Sequence, residues 1–175
     1  MTFQAAGRIK THKVRKADGM SEGLVWVEAY LPLDIESYAQ FQALVVKHGS
    51  AVQAAAINPE LASKALTPVD AHGEAMLPEG VVQLAHGFIT NCRKIDVLHN
   101  EQVRNDVQVV ESFVNGPEIA SPNFWPGSWV CVLKVDPASE LFPLVESEQL
   151  DAVSFQGWVV KTPVVINVEA LEAAA

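Results

Sequence analysis

His99 and Glu111 lie in one stretch, KIDVLHNEQVRNDVQVVESF at 94–113, and their types suit proton transfer. The stretch reads as two short strands with a polar turn between them. In the second strand, alternation sets Val107, Val109, Glu111 and Phe113 on one face and Gln108, Val110 and Ser112 on the other. A carboxylate among apolar side chains on a face that a sheet buries needs a hydrogen-bonded partner, because an unpaired one is costly there. His99, at the end of the first strand, is the nearest candidate in sequence. An acid holding an imidazole is two-thirds of a hydrolase triad, with a serine still to be found. The alternative is that Glu111 tops an edge strand in solvent and His99 is a turn residue.

The other chemistry-bearing residues are more scattered. In LDAVSFQGWVV (150–160), Ser154 shares a strand face with Ala152, Gln156 and Trp158, and Gly157 follows it. A glycine there lets a backbone approach a ligand closely, although serine is commonplace in strands. Asp70, His72 and Glu74 place three donors within five residues, which suits a metal and equally suits an ordinary polar turn; no metal is expected. Cys92 and Cys131 stand in no CxxC or Cys/His cluster, so neither a disulfide framework nor a zinc site is suggested. Cys131 falls on an apolar strand face with no base beside it, so a packed thiol is expected rather than a reactive one.

These residues need elements to position them. The segment LVWVEAYL from Leu24 reads as a strand, and Asp34 as the N-cap of a helix. That helix carries Tyr38, Phe41, Leu44 and Val45 at helical spacing and ends at His48-Gly49, where His48 complements the helix dipole. Residues 51–57 and 63–66 read as two strands joined through Asn58-Pro59. Pro78 opens a second helix, to about Asn91, whose apolar face is Val81, Leu84, Ala85, Phe88 and Ile89, with His86 on the solvated side. Residues 115–127 form a loop, and SWVCVLKVD (128–136) is the clearest strand. Asp136-Pro137 then caps a short helix bearing Leu141 and Phe142, which Pro143 kinks or restarts. One more strand follows in TPVVINVEALEAAA.

Length and composition bound what this can be. A chain of 175 residues suffices for one domain with a real core, and a hydrophobic content of 49% with 19% charged residues excludes wholesale disorder. A net charge of -9 argues against nucleic acid as the main partner. There is no signal-peptide pattern and no apolar run long enough to span a bilayer, so a soluble, intracellular protein without a membrane partner is expected. Within residues 1–23, Arg8, Lys10, Lys13, Arg15 and Lys16 hold 5 of the 12 Lys and Arg. This is either a docking arm for an acidic partner or an exposed edge strand guarded by lysines. Residues 170–175 read as a frayed tail.

Taken together, the landmarks resemble the XkdF-like family of phage serine proteases, relatives of tailed-phage prohead proteases and more distantly of the herpesvirus assembly protease. The resemblance rests on TPVDAHGEAM (67–76) followed by the helix VVQLAHGF, on IDVLHN (95–100), on VVESF (109–113), and on PGSWVCVLKVD followed by AVSFQGW. It covers residues 64–160. Two departures stand out: Ala152-Val153 replaces the family's Gly-Phe before the serine, and His72 replaces a Gln.

The resemblance implies a compact, mainly antiparallel β-barrel with a few peripheral helices; the residue-level count of about seven or eight strands and about three helices agrees with that sheet-dominated α+β picture, in one domain over residues 1–175. It implies that Ser154 is the nucleophile, His99 the general base and Glu111 the acid that orients the imidazole, without a cofactor. Backbone N–H groups near Gly157 are the expected oxyanion hole. The implied activity is endopeptidase cleavage of scaffold and major capsid precursor segments inside an immature capsid in the host cytoplasm, with self-processing and room for a homo-oligomer. The competing expectation is a non-catalytic capsid assembly or scaffold-associated protein that keeps the fold.

Overall fold

The structure is a computed structural model that describes residues 3–9, 16–17, 20–21, 23–69, 74–95, 103–147, 149–150 and 152–157, the backbone alone at 3–9, 16–17, 20–21 and 152–157. In chain order the elements begin with strands β1 (Phe3–Ile9), β2 (Lys16–Ala17), β3 (Met20–Ser21) and β4 (Leu24–Tyr30). Helices α1 (Ile35–His48), α2 (Ala51–Ile57), α3 (Pro59–Leu66) and α4 (Pro78–Asn91) follow. The chain continues with β5 (Val107–Val114), β6 (Trp129–Val135), α5 (Phe142–Glu146) and β7 (Ala152–Gly157). It divides into two compact units, Met1–Leu31 with Pro78–Trp158, and Pro32–Leu77 with Val159–Ala175.

The first unit is built on a five-stranded antiparallel sheet of order β5-β6-β4-β1-β7. β4 and β6 are interior and apolar on both faces, and Val25, Val27, Val130, Val132, Leu133 and Val135 are buried. One face, here the helix face, takes α4, whose Phe88 ring meets Trp129 at a centroid distance of 5.2 Å. The opposite, loop face takes residues 115–128, and Phe124 meets Phe113 edge-on at 6.3 Å. Gly23 enters β4 at φ 64°, and a Cβ there would lie 2.0 Å from the Val135 carbonyl oxygen. Only glycine tolerates both that φ and that approach.

The α+β class and the antiparallel sheet agree with the sequence, but the barrel and the sheet dominance do not: the described residues hold five helices rather than about three. Among the described residues β5 and β7 are opposite edges of an open sheet, with no ladder joining them. Nor is the first strand an edge, since β1 pairs with both β4 and β7. β2 and β3 pair with each other, Lys16 opposite Ser21 and Ala17 opposite Met20. Lys94 and Ile95 are not in a strand, and 96–100 lie outside the described residues. Asp136 accepts from the Ala138 N–H in a turn, and the helix begins only at Phe142 with Pro143 in its first turn.

The second unit is helical where the sequence suggested strands. Residues 51–57 and 59–66 are α2 and α3, because alanine is the strongest helix former and Asn58-Pro59 is an N-cap followed by proline at N1. Asn58 Oδ1 accepts the Leu61 N–H at 3.0 Å. Phe41 of α1 packs with Ala54, Ala62 and Ala65, whose small side chains allow close approach. Both expected caps of α1 form: Asp34 accepts the N–H groups of Glu36 and Ser37, and Gly49 closes the helix at φ 81°.

Candidate functional site

Sheet register decides which candidate residues can meet. Along β5, Val107 and Val109 oppose Val135 and Leu133, whereas Glu111 and Phe113 oppose Val132 and Val130. The partners change parity, so Val110 is the extra residue of a β-bulge and the alternation reverses across it. Glu111 and Phe113 therefore lie on the loop face, and Val107 and Val109 on the helix face. Glu111 is exposed, which corrects the expectation that it is buried among the valines.

The same bookkeeping runs across the whole sheet. Val132 pairs with Trp26, Glu28 with Arg8, and Ala6 with Ser154. Paired residues share a face, so positions 111, 26, 28 and 154 all belong to the loop face. Glu111 and Ser154 are nevertheless on opposite edge strands, four strand spacings or roughly 19 Å apart across a flat sheet. Gly157 lies at the end of β7 opposite Phe3. His99 lies outside the described residues, as do Asp70 and His72, leaving only Glu74 of the three metal-ligand candidates in view.

A cleft of about 580 Å³ opens on the loop face beside Glu111, lined by Trp26, Phe113, Ile119, Ser121 and Phe124 as well. Its outer wall is the 115–128 loop, held by the buried side chain of Asn115. Asn115 Nδ2 donates to the carbonyls of Ser121, Phe124 and Trp125 at 3.2, 2.9 and 3.1 Å, and Oδ1 accepts the Ser121 N–H at 2.7 Å. One amide thus substitutes for the ladder that a loop lacks. The loop is also tied to the sheet, since the Trp125 N–H donates to Oε1 of Glu28, which is only 3% exposed. Ser128, at the foot of the loop, is fully buried, and its Oγ has no hydrogen-bond partner among the described residues.

On the helix face, Trp129 Nε1 donates to Ser112 Oγ at 2.9 Å, and burial pushes the neighbouring Cys131 thiol up to about 12, against a smaller opposing hydrogen bond from Ser112. Cys131 is thus a packed thiol, as expected. The start of β5 is anchored by Arg104, whose guanidinium grips Asp106 through two nitrogens at 2.8 and 2.5 Å and reaches Glu140 at 3.1 Å. Ser139 Oγ donates to the same Asp106 carboxylate. The Arg104 and Ser139 hydrogen bonds hold the Asp106 carboxyl well below the usual range.

Sequence reasoning missed Glu28 and Asn115. Glu28 is the one charge in LVWVEAY, a signal that was present; Asn115 sits in an Asn-Gly-Pro sequence that reads only as a turn.

Comparison with known proteins adds to this geometry. The family described as "Putative phage serine protease XkdF" matches residues 65–162, more than half of the chain. The chain is 33% identical over 90 residues to the phage-like element PBSX protein XkdF of Bacillus subtilis (strain 168), covering 50% of this chain and 32% of that protein. It is also 33% identical over 91 residues to the uncharacterized protein YqbD of the same organism, covering 51% of this chain and 27% of YqbD. The chain thus spans less than a third of the length of these relatives. No solved structure matches it. Among the described residues, no helix is long and apolar enough to cross a membrane.

Proposed function

Because the chain belongs to the family described as "Putative phage serine protease XkdF", we propose that it is a serine endopeptidase of phage capsid maturation. Its substrates are segments of the scaffold and the major capsid precursor, cut inside the immature capsid in the host cytoplasm, and it processes itself. Ser154 Oγ attacks the scissile carbonyl while its proton passes to His99. The imidazolium returns that proton to the leaving amine, and water then releases the acyl group by the same route. Backbone N–H groups near Gly157 receive the developing oxyanion. The family resemblance assigns the orienting acid to Glu111.

The observation that supports this reading is the register: positions 111 and 154 fall on one face, within a family match that spans all three proposed catalytic positions. The test is to incubate the protein and its Ser154→Ala variant with the scaffold and capsid precursor of the same phage. Cleavage by the wild type alone is the expected result; identical behaviour of the two would overturn it.

A second reading, a non-catalytic assembly protein that keeps the fold, is favoured by the placement of Glu111 and Ser154 on opposite edges of the described sheet. It predicts binding to scaffold or capsid precursor without cleavage.

A further inference from the structure

The cleft on the loop face reaches the outer edge of β5. The Asn115 N–H donates to the Ser128 carbonyl, and the Asn115 carbonyl accepts the Gly127 N–H, so both backbone groups of Asn115 point inward, away from that edge. In an antiparallel ladder this direction alternates. Phe113, opposite Val130, therefore also points inward, and the N–H and C=O of Ser112 point outward. The Ser112 side chain lies on the helix face, against Trp129, so Ser112 lines the cleft through its backbone. A ladder donor and acceptor thus stand at the rim of the cleft, and among the described residues no strand pairs with this edge. Only one of the eight β5 residues is charged and none is proline, so the edge carries little of what usually keeps a second chain off.

The side chains beside the edge define what fits there. The bulge at Val110 puts Glu111 on the loop face with Phe113, and Trp26, in the same row of the sheet as Glu111, continues the wall. Phe124 and the 56% exposed Ile119 close it from the loop. Such a wall takes an aromatic or large aliphatic side chain. Glu111 is exposed, and no described residue forms an ion pair or hydrogen bond with its carboxylate, which therefore suits a cation.

We infer that β5 binds an extended peptide segment of a protein partner as an added antiparallel strand, with the segment's middle residue opposite Ser112. The residues on either side of that one lie on the loop face, the earlier beside Phe113 and the later beside Glu111. In chain order the segment reads large apolar, any residue, lysine or arginine. Antiparallel addition continues the direction of every ladder in this sheet and is the more stable pairing. Main-chain bonds supply the affinity and the alternate side chains the specificity. The inference goes beyond the protease reading and does not rest on it.

The test titrates the full chain into fluorescein-labelled threonine heptapeptides, followed by fluorescence anisotropy; threonine favours the extended form. One peptide carries Phe third and Lys fifth, a second Phe and Glu, and a third the reversed order, Lys then Phe. The Phe-Thr-Lys peptide should bind saturably, and about fivefold to tenfold more tightly than either of the others. N-methylation of its middle threonine, which faces Ser112, should weaken binding about tenfold, whereas N-methylation of the Lys, whose N–H faces away, should cost far less. In Glu111→Lys the preference should reverse toward Phe-Thr-Glu. Should that variant not fold, the peptide series on the wild type decides alone. No saturable binding of Phe-Thr-Lys, equal binding of the Lys and Glu peptides, tighter binding of the reversed order, or indifference to methylation of the middle threonine overturns the inference. None of these outcomes bears on the cleavage assay with Ser154→Ala, which tests the protease reading separately.

Discussion

Val109 and Glu111, two residues apart in one strand, lie on opposite faces of the sheet because Val110 between them is a bulge. In a regular strand they would share a face, and the Glu111 carboxylate would be carried into the layer that α4 covers. The bulge turns it toward solvent and the cleft, and carries Ser112 to the Trp129 indole in exchange. An extra residue that re-aims a side chain is a common device beside functional sites.

Deleting Val110 should therefore be tolerated. The half-exposed side chain is outside the ladder, and its removal leaves Glu111 opposite Val132. Denaturant unfolding should shift by no more than about 1 kcal/mol. In a strand without a bulge, the same deletion would reverse the faces of residues 111–114 and cost several-fold more.

Asn115→Ala should destabilise the first unit by about 3 kcal/mol, because it removes four hydrogen bonds and strands buried carbonyls. Asn115→Asp should be worse, since a carboxylate would replace the donor that three carbonyls share. Urea unfolding followed by tryptophan emission measures both, as Trp125 lies in the loop and Trp129 directly follows it.

Gly23→Ala should lose about 3 kcal/mol, from a left-handed φ together with the collision at the Val135 carbonyl. Gly49→Ala, also at positive φ but with no atom closer than 4.0 Å, should cost about 1 kcal/mol. Melting temperatures of the two variants, measured side by side, separate steric collision from conformational cost.

The two thiols should react differently. Cys92 is exposed and should be modified by a disulfide reagent at once at neutral pH, whereas buried Cys131, raised to about 12, should react only as the protein unfolds. One thiol titrated in the native protein and two in denaturant is the expected count.

Asp106→Asn tests the Arg104 grip through pH. The folded carboxyl is held below its unfolded value, so its contribution is complete above about pH 4 and disappears as the pH falls through the folded value. The stability gap between wild type and Asp106→Asn should thus be constant from neutrality down to about pH 5 and close below it. A gap that widens in acid would contradict the assignment.

Some of this architecture was legible along the chain because it is local. Asp34 and Gly49 bound α1 through bonds to residues within four positions, and those signals need no partner elsewhere. The alternation of β6 and the helical spacing of α4 are likewise properties of consecutive residues. The alanine-rich stretch 51–66 misled because small apolar residues carry little periodicity, and it was helix propensity, caps and the Phe41 contact that settled its form.

The sequence by itself determined the residue types, the family, and the local starts and stops of most elements. What only the tertiary structure decided is which of those residues share a face and an edge. A single inserted residue at Val110 reverses a face, and the strand order separates Glu111 from Ser154. Neither is written in any local pattern. Pairing partners come from distant segments, and a period of two loses its phase wherever one residue is added.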